Sequence, residues 1–246
     1  MDVTLDNADE VYRYYAAHRQ SRLKATAMYG LLAARHRPIV KYEGGARDAL
    51  SMIVRRREVP LIIAANHVRQ TDPFILAAAG FLSPVRTRIG RMRVLAKDEL
   101  FEDPAQRRKI DDLGGIPVFR QKDHGMRAAA SAGKQMMDVC VERMTDGDSI
   151  AIFPEGTCNP DDPRLLQKVS SGVGHIAVGA RKAGSSPWLV CAGIAYPDVD
   201  GRPVVVFSRP IDLTSEVAGT PAQATRLVTG ELQRSVTAAF ADLAAP

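Results

Sequence analysis

The sequence predicts an α/β fold, a single domain with a largely parallel central sheet flanked by helices, preceded by a basic N-terminal helical segment. Three observations lead there. Apolar runs rich in Val, Ile and Phe recur along the chain, and longer segments with helical spacing separate most of them, the pattern of strands joined by crossover helices. The length of 246 residues suits one sizeable core. No internal repeat, low-complexity tract or Gly/Ser-rich linker divides the chain.

In chain order, residues 10–35 read as a helical segment in which Leu23, Ala27 and Leu31 share a face, flanked by Tyr12, Tyr14, Tyr15 and Tyr29. That combination suits a membrane interface, and equally a helix that covers the sheet. The one seam lies at "RHRPIVKYEGG" and separates residues 1–40 from an α/β body over residues 41–246. "VPLIIAA" reads as the first strand, followed by the loop "NHVRQTDP" and the helical "DPFILAAAGFL". "MRVLA" and "GIPVF" are the next strands. Residues 125–144 form the clearest helix, because Met126, Ala130, Met137, Val141 and Met144 recur at spacings of three, four and seven. That Met stripe reads as core. "DGD" ends the helix before the strand "SIAIF", and "WLVCAGIAY" and "RPVVVF" supply two more strands. Residues 221–243 close the chain as a helix with Thr220 as N-cap and Pro221 in its first position.

The net charge of +5 is modest but uneven: residues 11–57 carry eleven Arg or Lys against Glu43 and Asp48 alone, locally about +9. A second basic run, "RTRIGRMRVLAK", adds Arg86, Arg88, Arg91, Arg93 and Lys97. Such surface suits phosphate-bearing partners, whether nucleic acid, nucleotide or anionic lipid, or it is solvated charge. No apolar stretch reaches the roughly 18 residues of a membrane span, and the acidic start "MDVTLDNADE" does not read as a secretory signal. A cytoplasmic protein is expected. Cys140, Cys158 and Cys191 are odd in number and too widely spaced for a zinc pattern, so they are expected to be reduced.

Three constellations carry candidate chemistry. "NHVRQTDP" places His67 and Asp72 after a strand, where α/β sheets gather ligands. A histidine can accept a proton at neutral pH, and a carboxylate on its other nitrogen fixes the tautomer and stabilises the imidazolium. The plain alternative is an N-cap and a hydrogen-bonded loop histidine. In "FPEGTCN", Glu155 and Gly156 break an apolar run, and Gly156 permits a turn with exposed N–H groups beside a carboxylate. In "GGIPVFR", a strand delivers Arg120 to the sheet edge, where a guanidinium can grip phosphate with two hydrogen bonds.

In order and spacing, these blocks resemble the glycerolipid acyltransferase family, which acylates glycerol 3-phosphate and lysophosphatidic acid. The family's first block is Asn-His, four residues, Asp, here Asn66 to Asp72; its second runs from Gly to Arg, here "GGIPVFR" with Gly115 and Arg120. The third, Phe-Pro-Glu-Gly-Thr, is matched by residues 153–157, and "VLAKDELFEDP" looks like the intervening Ala-Lys-x-Glu-Leu-Phe segment. The resemblance covers residues 60–211. The family's usual arginine after Glu-Gly-Thr is Cys158, its Phe-Lys-x-Gly is "VSSG" (residues 169–172), and the proline of its fourth block is displaced to Pro197. These departures bear on the acceptor rather than on the reaction, and Arg164 and Lys168 are candidates to replace the lost charge.

The resemblance implies that His67, oriented by Asp72, takes the acceptor's proton, while Arg120, Glu155, Gly156 and Thr157 hold its phosphate; Asn66 and Gly115 are assigned to substrate binding with their blocks. It implies an acyl-CoA or acyl-ACP donor, no cofactor and no metal, and a phosphate-bearing lipid acceptor. The expected partners are an anionic membrane surface and, for a carrier-bound donor, acyl carrier protein, with no nucleic acid. The expected location is the inner face of the membrane, bound peripherally. Cys158 lies outside any nucleophile-elbow pattern and is not expected to attack substrate. Two rivals are a metal-dependent phosphoesterase using His67, Asp72 and Glu155, and a non-catalytic lipid-binding module.

Overall fold

The computed structural model describes residues 2–198, 201–216 and 219–244. Along it run α1 (Ala8–Ala17), α2 (Arg22–His36), β1 (Ile39–Tyr42), α3 (Ala46–Ile53), β2 (Leu61–Ala65), α4 (Asp72–Phe81), β3 (Met92–Lys97), α5 (Pro104–Asp112) and β4 (Gly115–Val118). There follow α6 (Gln121–His124), α7 (Met126–Thr145), β5 (Ser149–Ile152), α8 (Gly172–Lys182), β6 (Trp188–Ala195), β7 (Val204–Phe207), β8 (Ile211–Asp212), α9 (Leu213–Glu216) and α10 (Pro221–Ala244). The strands form one sheet in the order β1-β7-β6-β2-β5-β3-β4, and β8 pairs with β6 off that path. Pairing is parallel except where β6 meets β7 and β8. The expected single α/β domain with a largely parallel sheet is therefore present.

Each strand-like run of the sequence becomes a strand, and β2 shows why such runs are continuously apolar. Leu61, Ile63 and Ala65 face a layer built from α3 and α4, whereas Ile62 and Ala64 face a layer of α1, α7, α8 and α10. A strand covered on both faces leaves no position for a polar side chain. Thr220 caps α10 as expected: its Oγ1 accepts from Gln223 N at 3.3 Å, and Gln223 Oε1 accepts from Thr220 N at 3.2 Å. Further along that helix the backbone comes so close to β6 that a Cβ on Gly193 would lie 2.0 Å from the Ser235 carbonyl oxygen.

Several expectations are corrected. The N-terminal segment is two helices, broken at residues 18–21. Its break is anchored from the interior, where Arg143 donates to the Ala16 carbonyl at 2.9 Å and Arg93 to that of His18 at 2.8 Å. Tyr12, Tyr15 and Tyr29 are buried rather than interfacial, although Leu23 and Leu31 stand 82% and 71% exposed on α2. The second basic run is not one charged surface either. Arg93 and Arg143 converge on buried Asp148 at 2.7 and 2.6 Å, and Arg88 is buried with its guanidinium on the carbonyls of Ile53, Arg56, Arg57 and Val59. Charges removed from water must find such partners. In α7 the buried face carries Ala129, Ala132, Met136, Val139, Cys140 and Met144; of the Met stripe, Met144 is buried in the core and Met137 packs against it, whereas Met126 is exposed, so the buried face is rotated from the one the stripe marks.

The topology creates one favoured place for a ligand. β2 and β5 are parallel neighbours, yet the chain leaves β2 for α4 on one face and leaves β5 for α8 on the other. Where successive helices depart to opposite faces, a crevice opens beyond the strands' carboxyl ends.

Candidate active site

The residues that follow β2 and β5 meet in this crevice. Asn66 ends β2 by pairing with the β6 backbone, donating to the Ile194 carbonyl at 3.0 Å and accepting from Ile194 N at 2.7 Å. It is buried and fixes the direction in which the next residue leaves the sheet. The chain then turns back on Asp72, whose Oδ2 accepts from Val68 N at 2.6 Å and Arg69 N at 2.8 Å. The same oxygen lies 3.0 Å from His67 Nδ1. Oδ1 accepts a short hydrogen bond from the Tyr196 hydroxyl. This fully buried carboxyl group is met by several donors and stands at the first residue of α4, where the helix dipole favours negative charge.

With Nδ1–H committed to Asp72, Nε2 carries the imidazole lone pair. Cys158 Sγ stands 3.5 Å from Nε2, and the Phe153 ring packs 4.7 Å from the imidazole centroid. His67 thus has the orientation of a general base: one nitrogen on a carboxylate, the other carrying a lone pair that can accept a proton once the Cys158 contact gives way.

The loop after β5 clamps the backbone of His67 from both sides. His67 N donates to Glu155 Oε1 at 2.8 Å, and its carbonyl accepts from Asn159 N at 2.6 Å. The other Glu155 oxygen accepts from Gln167 N at 2.9 Å, so both carboxylate oxygens are occupied by backbone N–H groups. Glu155 therefore ties together two loops. Gly156, at φ +70°, makes the turn, with its N–H on the Phe153 carbonyl at 3.0 Å. Gly156 and Thr157 are exposed and line the crevice.

Arg120 lines the same crevice but is already paired, with Nη2 2.6 Å from Asp123 and 3.6 Å from Glu99. Glu99 in turn takes a short contact from Lys97. The Glu99 carboxyl is held below its ordinary range, first by the Lys97 hydrogen bond and then by the charges of Lys97 and Arg120. Gly115 lies inside β4 rather than in the crevice; a Cβ there would stand 2.1 Å from Ile110 Cγ2. Its requirement is close packing under α5. Arg164, offered as a replacement cation, stacks on Phe240 at 4.6 Å, whereas Lys168 does line the crevice.

The crevice continues into a cleft of about 2210 Å³. One arm is apolar, walled by Met28 and Leu32 of α2, Leu76 of α4, Met92 and Val94 of β3, and Ala151 of β5. Among the described residues no group of three or more His, Cys, Asp or Glu is placed to hold a metal ion, and no helix is long and apolar enough to cross a membrane.

Two contributors escaped the sequence reading. Asn159 stood within the quoted "FPEGTCN", and only the fold reveals that its backbone meets His67. Tyr196 ends the run "WLVCAGIAY", more than a hundred residues from Asp72, and parallel pairing of β6 with β2 brings the two together. Comparison with curated proteins gave no match. A family model described as Acyltransferase matches residues 51–205, the span that contains β2, β5, β6 and both loops of the crevice.

Proposed function

We propose that this chain, which belongs to the acyltransferase family, transfers a fatty acyl group from an acyl thioester to a hydroxyl of a phosphate-bearing glycerolipid acceptor, lysophosphatidic acid or glycerol 3-phosphate. The observation that carries the reading is the imidazole of His67, which lines the cleft with Nδ1 on Asp72 and Nε2 beside Cys158. Nε2 takes the proton as the acceptor oxygen attacks the thioester carbonyl. The imidazolium is stabilised by Asp72, and the proton then passes to the departing thiolate of coenzyme A or acyl carrier protein. The thioester is already activated, so the reaction as proposed calls on no cofactor or metal. General-base assistance supplies on the order of 10² to 10⁴ in rate, and holding both substrates in the crevice must supply most of the remainder.

The acyl chain fits the apolar arm between α2, α4 and the sheet. Gly156, Thr157, Lys168 and Arg120 line the polar end, where an acceptor phosphate would lie. Arg120 would first have to exchange Asp123 for that phosphate. This pairing, together with Cys158 in place of the family's arginine, favours a second reading of the acceptor as another lysolipid or a glycolipid. Leu23, Ala27 and Leu31 point outward on α2 beside Arg22, Lys24 and Arg35, which supports docking of residues 1–40 on an anionic membrane, peripherally and on its cytoplasmic face. A pure lipid-binding module would have no use for the oriented His67.

The test is thiol release from palmitoyl-CoA and from palmitoyl carrier protein with a panel of lysophosphatidic acid, glycerol 3-phosphate, neutral lysolipids and glycolipids, with mass identification of the acylated product. Release stimulated by one acceptor, with its ester formed, supports acyl transfer and identifies that acceptor. Lipid binding without release under any pairing would leave only the binding module.

A further inference from the structure

Asp72 is hydrogen-bonded on both sides, and the two sides differ in origin. The donors on Oδ2 come from its own turn, residues 67–69, whereas the donor on Oδ1 is Tyr196, delivered from the end of β6. Arg69 places its guanidinium over the Tyr196 ring, 4.0 Å from the centroid. Four residues thus stand in a line, Arg69 on the Tyr196 ring, the phenol hydroxyl on Asp72, and Asp72 on His67. Neither Tyr196 nor Arg69 is among the residues that line the cleft, so neither is placed to touch a substrate.

We infer that Tyr196 is a positioning residue for the reaction proposed above: its hydroxyl fixes the Asp72 carboxylate and, assisted by Arg69, sets how strongly the His67–Asp72 pair holds a proton. The inference rests on that reading of His67 as base. Burial pushes the Tyr196 hydroxyl up, the charge and hydrogen bond of Asp72 push it further, and a hydrogen bond with Thr71 and, to a smaller extent, the charge of Arg69 pull it down. The phenol therefore keeps its proton and remains a donor. A cation over the ring polarises the O–H and strengthens that donation.

The sign follows from charge. A donor on Oδ1 offsets part of the Asp72 negative charge and so weakens its hold on an imidazolium. Removing it makes the pair take up a proton at higher pH, whichever of the two groups carries that proton. Other titratable groups near the pair are the Cys158 thiol at Nε2 and Glu155 on the His67 backbone; Lys97, Arg120 and Lys168 line the cleft beyond. A substitution at Tyr196 leaves all of them in place.

The experiment compares wild type, Tyr196→Phe and Arg69→Gln by NMR titration of the His67 imidazole, which needs no turnover, and by the pH profile of kcat/KM. The Phe variant keeps the ring and its packing. In Tyr196→Phe the imidazole midpoint and the acid limb both move to higher pH, kcat at neutral pH falls several-fold, and KM for the acyl donor is unchanged. Arg69→Gln moves both in the same direction by less, and its backbone N–H still serves Asp72. A titration of Tyr196→Phe that superimposes on wild type overturns the inference, even if the variant is less stable. A midpoint that moves in a protein with no acyl transfer to any acceptor upholds the Tyr196 linkage and overturns the proposed function instead.

Discussion

Asp72→Asn separates the charge of Asp72 from its shape. The amide oxygen can take over the bonds of Oδ2 from His67 Nδ1, Val68 N and Arg69 N. The amide nitrogen then faces the Tyr196 hydroxyl, which can rotate to accept. Both heavy atoms of the amide thus face a partner, and what disappears is the anion. Hydrogen bonds to charged groups are worth roughly 1 kcal/mol more than neutral ones, and relief from burying a charge offsets part of that loss. The variant should therefore fold. Catalysis suffers more, because the imidazolium formed during attack has lost its counter-charge. If general-base assistance depends on that charge, kcat falls by about 10² to 10⁴, a rise of roughly 3 to 5 kcal/mol in the barrier. The assay is steady-state thiol release, with circular dichroism to establish that the variant is folded. A folded Asp72→Asn protein with kcat within about three-fold of wild type, less than 1 kcal/mol, would refute the role assigned to the carboxylate.

Cys158 occupies the side of His67 where the acceptor hydroxyl must arrive, yet the proposed reaction makes no use of its sulfur. Cys158→Ala should keep turnover, and N-ethylmaleimide should inactivate the wild type while sparing this variant; loss of activity in Cys158→Ala together with a trapped acyl-enzyme in wild type would assign the sulfur a covalent role. Gly193→Ala places a methyl group 2.0 Å from the Ser235 carbonyl and should destabilise the protein by about 1 to 3 kcal/mol or more, read as a lowered thermal midpoint. Leu23→Glu with Leu31→Glu alters side chains exposed on α2; co-sedimentation with anionic vesicles should weaken while the thermal midpoint stays put. Unchanged vesicle binding would remove α2 from the membrane-docking account.

The strands were legible because a buried parallel strand is apolar at every position, and no tertiary information is needed to see "LIIAA" or "SIAI". Helix faces were less legible. Met126 and Met136 are equally apolar, and only the position of α8 and α1 against α7 decides which one is covered. Charge misled most. Arg88 and Arg93 read as surface until the fold supplied carbonyls and Asp148 to receive them. At the site, His67 and Asp72 could be paired from sequence because they lie five positions apart on one turn. Glu155 was read as a holder of the acceptor's phosphate, whereas its carboxylate accepts from two backbone N–H groups, an employment that depends on how two separate loops converge. Tyr196 depends on the neighbour of β2 being β6, which no local pattern encodes.

The most direct test of the central claim is thiol release by His67→Ala set against wild type, under identical donor and acceptor concentrations, alongside lipid binding by both. The account predicts that His67→Ala is folded, still binds lipid, and loses on the order of 10² to 10⁴ of the wild-type rate. A His67→Ala protein that releases thiol as fast as wild type would contradict it, because no other imidazole among the described residues that line the cleft is paired with a carboxylate in the same way.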